Sequence, residues 1–170
     1  MLFLRYLFLI LLALPGLYFF YLIFTPATIY PVYWILSLFY DISLQNSSFL
    51  IGDYAIEIIP ACIAGSAYYL LFILNFATPM SVKIRMKSLS FLIFSFLLFN
   101  IIRLAVFSSL LVEDFNYFDL AHKAVWYFGS TIFVVLLWFA SIYLFNIKEI
   151  PAYTDIMNLY SEANRAKSKR

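Results

Sequence analysis

The chain has 170 residues, of which 65% are hydrophobic and 12% are charged, and its formal net charge is +2. A soluble domain carries roughly a quarter charged residues, so this composition excludes a soluble protein and indicates one integral membrane domain. The single cysteine excludes an intramolecular disulfide. Because the sequence contains no phosphate-binding glycine loop and no basic nucleic-acid-binding stretch, we expect no cofactor and no nucleic-acid partner.

Long apolar runs predict the membrane spans in chain order. The first covers residues 6–24, and we interpret it as an uncleaved helix because the apolar run continues past the region that could be mistaken for a signal-peptide cleavage site. Residues 29–40 are short, broken by proline and rich in Tyr and Trp, which favours an interfacial or re-entrant segment. Further spans are predicted at about 55–77, 89–112 and 124–147. The predicted fold is all-α and polytopic, with about four full transmembrane helices and one interfacial or re-entrant segment.

The basic residues predict how the chain is oriented. They cluster at Arg5, in the loop at 83–87 and after the last span, whereas acidic residues dominate the opposite loops. The positive-inside rule places the basic regions in the cytoplasm. We therefore expect a multi-pass protein of the cell membrane with both termini cytoplasmic. Residues 1–150 form the membrane-embedded domain, and 151–170 form a polar basic cytoplasmic tail.

Three unusual side chains are predicted to share one depth. The span that contains Cys62 enters the membrane from the outside, so Cys62 lies roughly 10 Å below the outer boundary. Arg103 lies about 13 Å from the outer end of its own span. His122, the single histidine, stands at the outer start of the last span. A lone cysteine in an apolar helix is most often a small hydrophobic residue, and a histidine is comfortable at the membrane interface. Their shared depth favours a functional site near the extracellular face.

Arg103 is the strongest single signal of function. An arginine within a spanning helix is costly, and such residues usually face a protein interior or a wet cavity. The alternative is a structural arginine that reaches towards the interface or pairs with an outer carboxylate. Asn100 lies three positions earlier on the same helical face, where its amide can steady the guanidinium or a ligand. Its alternative role is a hydrogen bond between helices.

Together, these residue types are the inventory for acyl transfer. A thiol near a cation or an imidazole is a better nucleophile, an arginine can stabilise an oxyanion, and an imidazole can carry the proton. One Cys and one His do not make a plausible metal-ligand set, so we expect no metal.

The motifs resemble those of the exosortases and archaeosortases, polytopic membrane transpeptidases. The chain reads "PACIAGS" at Cys62, "NIIR" from Asn100 to Arg103 and "DLAH" at His122, in the family's order and spacing. The resemblance implies that Cys62 is the nucleophile, Arg103 a catalytic arginine and His122 the acid-base partner, with Asn100 and Gly65 as motif support. Many members show C-[ST]-G, whereas this chain has C-I-A-G, and its short length resembles the compact archaeal members.

The resemblance also implies a function in protein sorting. The partner would be a secreted protein whose C-terminal signal consists of a short motif, a transmembrane helix and a basic cluster. The enzyme would cleave near the motif through a cysteine thioester and transfer the new carboxyl end to an amine, such as that of a membrane lipid. Two alternatives stay open: an intramembrane cysteine protease that uses water as the acceptor, and a non-catalytic membrane subunit.

Overall fold

A computed structural model describes residues 6–7, 9–11, 16–149, 157 and 160–161. Parts of the first predicted span, residues 8 and 12–15, and nearly all of the predicted basic tail lie outside these residues. Across the described residues the chain is mostly helical, as predicted, but it also contains a small antiparallel sheet. The helices are α1 (Tyr18–Leu36), α2 (Pro60–Ile63), α3 (Gly65–Ala77), α4 (Val82–Val112), α5 (Phe118–Ala124) and α6 (Ser130–Leu144).

Three of the described helices are long and apolar enough to cross a membrane. They are Tyr18–Leu36, Val82–Val112 and the continuous run Phe118–Leu144, in which a π-helical segment, Val125–Gly129, joins α5 to α6. Helix α3 is apolar but has only 13 residues, fewer than the roughly 20 that a spanning helix needs. The predicted count of four spanning helices is therefore not confirmed.

Helix α1 replaces two separately predicted segments. It continues through Pro26 and Pro31, although we predicted that one span would end at residue 24 and that 29–40 would form an interfacial or re-entrant segment. Each proline removes one backbone donor. In an apolar environment, however, leaving the helix would expose several unpaired backbone groups, which costs more than tolerating a proline inside it.

The predicted helix over 55–77 begins later than expected. Residues 54–57 form a strand, α2 begins only at Pro60, and a break at Ala64 separates α2 from α3. The sheet that precedes α2 was not predicted at all. Its strands run in the order β1-β2-β3, each antiparallel to the next. They are β1 (Ile42–Gln45), β2 (Ser48–Ile51) and β3 (Tyr54–Glu57).

Two tight turns build this sheet. Each turn has a two-residue loop, 46–47 or 52–53, and the first residue of each loop, Asn46 or Gly52, has a positive φ of 55° or 56°. Positive φ at that position suits the twist of a two-residue hairpin. Phe49 and Ile51 are buried beneath the sheet, so the apolar side chains of β2 attach it to the helical core.

A polar chain fixes α3, α4 and α6 at the end of the bundle away from the sheet. The Nδ2 of Asn75 donates to the Oγ of Ser88 at 3.0 Å, and the Oγ of Ser88 lies 2.7 Å from the Oγ of Ser141. All three side chains are fully buried. Hydrogen bonds of this kind fix how neighbouring apolar helices are aligned.

Acidic and basic side chains lie at opposite ends of the long helix α4. At one end, Tyr40 donates to Glu113 at 3.0 Å and Tyr54 donates to Asp114 at 2.6 Å, which ties the sheet region to the loop after α4. At the other end, Arg85 donates to two backbone carbonyls at the end of α3. The loops that the sequence assigns to opposite membrane faces are thus separated by the full length of α4.

The bond from Tyr54 to Asp114 predicts a pH response. The hydrogen bond to the carboxylate raises the pKa of Tyr54 above its ordinary value of about 10. The bond therefore contributes stability that is fully present below pH 10 and is lost as the pH rises through the raised pKa. We expect the difference absorbance titration at 295 nm, wild type minus Tyr54→Phe, to show one tyrosine that ionises above pH 10. Asp114→Asn should return this ionisation towards pH 10, and an unchanged titration would contradict the contact.

Candidate functional site

The site begins with a break in the helical backbone beside the cysteine. Helix α2 makes a single turn and ends because Ala64 adopts the left-handed conformation, with φ 57° and ψ 43°. This conformation costs an L-residue roughly 1–2 kcal/mol. The break leaves the carbonyls of Cys62 and Ile63 without the amide donors that a continuous helix would provide.

Asn100 and Arg103 supply the missing donors. The Nδ2 of Asn100 lies 3.2 Å from both the Cys62 and the Ile63 carbonyl oxygens, and the Nη2 of Arg103 donates to the Cys62 carbonyl at 2.8 Å. Both residues lie on α4, three positions apart, so they present one polar face to α2. The structure thus brings Asn100 and Arg103 directly against the backbone of Cys62.

The guanidinium of Arg103 is held by neutral groups. Its Nη1 donates to the Oγ of Ser130 at 2.7 Å, and the side chain is half-buried. Among the described residues, Arg103 forms no ion pair, so the alternative of pairing with an outer carboxylate finds no support there. The carboxylate of Asp119, in the outer region, instead lies 4.0 Å from the Nζ of Lys123 on the surface. Its bonds to Ser130 and to the Cys62 carbonyl use two of the five N–H donors of the guanidinium.

His122 is positioned by aromatic neighbours. It stacks on Phe118, one turn earlier in α5, with ring centroids 5.5 Å apart, and its edge meets Phe107 of α4 at 5.4 Å. The side chain is exposed. No hydrogen bond joins His122 to Cys62 or Arg103 within the described part of the chain. Catalytic hydrogen bonds are often loose until the substrate binds.

The three predicted catalytic residues line one apolar cavity. Its volume is about 330 Å³, and Cys62, Arg103 and His122 all line it. Most of the remaining wall is aliphatic or aromatic. It includes Ile59, which follows β3 in the chain, and Trp126 from the π-helical segment. π-helical turns widen a helix locally and are frequent at functional sites. The cavity can therefore hold an apolar chain with few polar contacts around one thiol.

A second cavity adjoins the first on the other side of Arg103. Its volume is about 500 Å³, and Arg103, Ala61 and Trp126 belong to both walls. Small and hydroxyl side chains such as Ser66 and Ser130 contribute to it. The guanidinium therefore lies between two spaces rather than at the end of one.

Gly65, predicted as motif support, lies outside both cavity walls. A Cβ at this position would lie 2.7 Å from the Cε1 atom of Tyr21 on α1, closer than real Cβ atoms approach. Any larger residue here would displace the ring of Tyr21, which packs against the first turn of α3. Its observed role is the close contact between α1 and α3.

Several residues of this site were not predicted from the sequence. Ser130 bonds Arg103, and Trp126 separates the two cavities, but serine and tryptophan are both common in membrane helices and neither stands out in the sequence. The described residues contain no cluster of three His, Cys, Asp or Glu side chains that could hold a metal. A comparison of the chain with known protein families, curated proteins and solved structures finds no match.

Proposed function

We propose that the protein is a membrane-embedded cysteine transpeptidase of the exosortase and archaeosortase type. The observation that carries this proposal is the single apolar cavity lined by Cys62, Arg103 and His122. A nucleophile, an anion stabiliser and a proton carrier around one space can perform acyl transfer. The resemblance of the motifs, described above, supplies the reaction class.

The first half-reaction forms a thioester. His122 accepts the thiol proton, and the Cys62 sulfur attacks the carbonyl carbon of the scissile peptide, so that a C–S bond forms and the carbonyl electron pair moves to oxygen. The C=O bond then re-forms as the C–N bond breaks with its electron pair on nitrogen, and His122 returns the proton to the leaving amine. Because one proton moves onto and off the same imidazole, His122 serves as base and then as acid.

The second half-reaction releases the product. An amine attacks the thioester carbonyl and gives a proton to His122, and the carbonyl electron pair moves to oxygen. The C=O bond then re-forms as the C–S bond breaks with its electron pair on sulfur, and His122 returns the proton to that sulfur, which restores the thiol. Arg103 stabilises the oxyanion in both halves with N–H groups that its bonds to Ser130 and Cys62 do not use. Asn100 is a positioning residue, because its amide holds the carbonyl of the nucleophile's own residue.

The substrate we propose is a secreted protein with a C-terminal motif, transmembrane helix and basic cluster, and the acceptor is the amine of a membrane lipid. In this proposal the chain crosses the membrane four times, by α1, α2 with α3, α4, and α5 with α6. The rises of helices α2 and α3, with 4 and 13 residues, sum to about 26 Å. Both termini are then cytoplasmic, and the cavity opens near the extracellular face.

A non-catalytic role is the second candidate, and one observation favours it. Asn100 and Arg103 already have a structural purpose, since they cap carbonyls that the break at Ala64 leaves open. In a purely structural subunit, these contacts would account for both residues. An intramembrane cysteine protease is the third candidate, and it would use the same three residues with water as the acceptor.

Mass spectrometry of processed C termini separates the three candidates. We expect that cells with the wild-type chain contain secreted proteins truncated ahead of their transmembrane helix, whose new carboxyl end is joined to an amine-bearing lipid. Cells without the chain should contain only the full-length forms. Free carboxyl ends would indicate the protease, and identical termini in both cell types would refute both enzymatic candidates.

A further inference from the structure

The sheet has an uncovered edge that leads directly to the cysteine. Strand β3 is the last strand of the sheet and pairs only with β2. After Glu57 the backbone stays extended to Ile59, which has φ −77° and ψ 161° and lines the cavity that contains Cys62. The edge of the sheet and the wall of the proposed active site are thus one continuous stretch of chain.

The register shows which backbone groups of β3 are available. The amide of Ile58 donates to the Ser47 carbonyl at 2.9 Å, which continues the pairing of β3 with β2. Backbone groups along an antiparallel strand alternate between its two sides. The even-numbered residues of β3 therefore bond with β2, whereas Ala55 and Glu57 direct their N–H and C=O groups outward. Both residues are exposed, and within the described residues neither has a backbone hydrogen-bond partner outside the sheet.

We propose that an extended segment of the sorted protein binds along β3 as a fourth strand, and that this pairing delivers its scissile bond to Cys62. The inference rests on the proposed function and adds how the peptide is held. Strand addition derives affinity from main-chain hydrogen bonds, and it suits an enzyme that must accept a short motif within many different proteins. Ala55 and Glu57 offer two donors and two acceptors to such a strand.

The distances along the chain fit this delivery. From Glu57 to Ile59 the extended backbone advances about 7 Å. The amide of Cys62 then donates to the Ile59 carbonyl at 2.9 Å, so the nucleophile lies one helical turn beyond the strand. A peptide that follows β3 past Glu57 reaches Ile59 and enters the cavity with its next residues.

A second copy of this chain is the competing occupant of the edge. Exposed strand edges can pair with one another in dimers. Here, two copies would bring together the exposed carboxylates of Asp53 and Glu57, which repel when strands place them near each other. A peptide without acidic side chains meets no such repulsion, and for this reason the edge favours a peptide.

The test measures how fast a peptide electrophile modifies Cys62. The probe is a mixture of pentapeptides, randomised at every position, that ends in a vinyl sulfone, and methyl vinyl sulfone is the matched reagent without a peptide. Purified wild-type chain in lipid nanodiscs is compared with Ala55→Pro, which removes one outward N–H but leaves the bonds to β2 in place. We expect Ala55→Pro to slow the peptide reaction at least fivefold, the contribution of about one hydrogen bond, and to leave the methyl vinyl sulfone reaction unchanged.

N-methylated peptides test the same strand pairing on the wild-type protein, so their result does not depend on how a variant folds. The same probes with N-methylated backbones lack the donors that a fourth strand needs, and wild-type protein should react with them at least fivefold more slowly. Ile56→Pro is the control for disruption of the sheet, because the N–H of Ile56 points towards β2 and pairs with it. Ile56→Pro should change the rates of both reagents.

Three outcomes would overturn the inference. They are equal rates for methylated and unmethylated peptides, an unchanged peptide rate in Ala55→Pro, and a wild-type peptide rate no higher than that of methyl vinyl sulfone. A dimer that Ala55→Pro dissociates without altering the peptide rate would assign the edge to a second copy. The proposed function is judged separately, because processing in cells either requires Cys62 or does not.

Discussion

Replacing Cys62 with alanine is expected to abolish processing while the protein still folds and inserts. Cys62 is the single thiol of the chain, so no other side chain can form the thioester. Loss of a catalytic nucleophile lowers the rate by more than about 10⁴-fold. The measurement is the fraction of a co-expressed secreted substrate that is truncated, normalised to the amount of inserted enzyme.

The fold should survive this change because the sulfur is only part of a half-buried side chain. The hydrogen bonds at this position are made by the backbone carbonyl of Cys62, which alanine retains. Ser109→Ala is a matched control, since it also removes one small polar group, at a serine that bonds the Ala105 carbonyl within its own helix and lines neither cavity. Normal processing by Cys62→Ala would refute the mechanism, and loss of both variants from the membrane would indicate a folding defect.

Arg103→Lys is expected to lower the processing rate about a hundredfold, the loss that follows removal of one well-placed oxyanion donor. Lysine keeps the charge. However, an ammonium on a flexible stem cannot donate to the Ser130 hydroxyl and the Cys62 carbonyl and still present fixed donors to an oxyanion. The measurement is the processing rate per inserted protein.

Arg85 provides the matched control for this substitution. It lies near the other end of α4 and donates to two backbone carbonyls, those of Asn75 and Thr78, whereas Arg103 donates to one carbonyl and one hydroxyl. If Arg103 acts only as a cap, Arg85→Lys and Arg103→Lys should be similarly mild. A loss below about threefold in Arg103→Lys would favour the structural role, because it is a small part of the effect expected for an oxyanion donor.

The proximity of Cys62 to Arg103 could be predicted from the sequence because it depends on simple geometry. The rise of a helix and the positions of the charged loops place both residues at similar depth, and the structure joins them by a hydrogen bond. What the sequence could not provide is the break at Ala64. Alanine is a good helix former, and nothing in "PACIAGS" predicts a residue in the left-handed conformation. The capping role of Asn100 follows from that break and was missed with it.

The sheet was missed for a different reason. We predicted no strand between residues 41 and 57, yet two-residue turns beginning at Asn46 and Gly52 separate three short alternating segments, which is a recognisable hairpin signal. The break that we predicted within α1 has a different explanation, because there a sequence signal was given too much weight. Pro31 was given its usual weight as a helix breaker in water, whereas an apolar environment makes an interrupted backbone more costly than a proline within a helix.

The shared cap on the Cys62 carbonyl constrains how this chain can evolve. Asn100 and Arg103 contact the same oxygen, so the cost of replacing one depends on whether the other is present, and their effects on stability are not additive. Loss of Asn100 leaves the Ile63 carbonyl without this donor, whereas loss of Arg103 leaves the Cys62 carbonyl with the donor from Asn100. A lineage that lost the proposed cysteine chemistry could therefore replace Arg103 more easily than Asn100. Asn100 would be retained for as long as the backbone stays broken at Ala64.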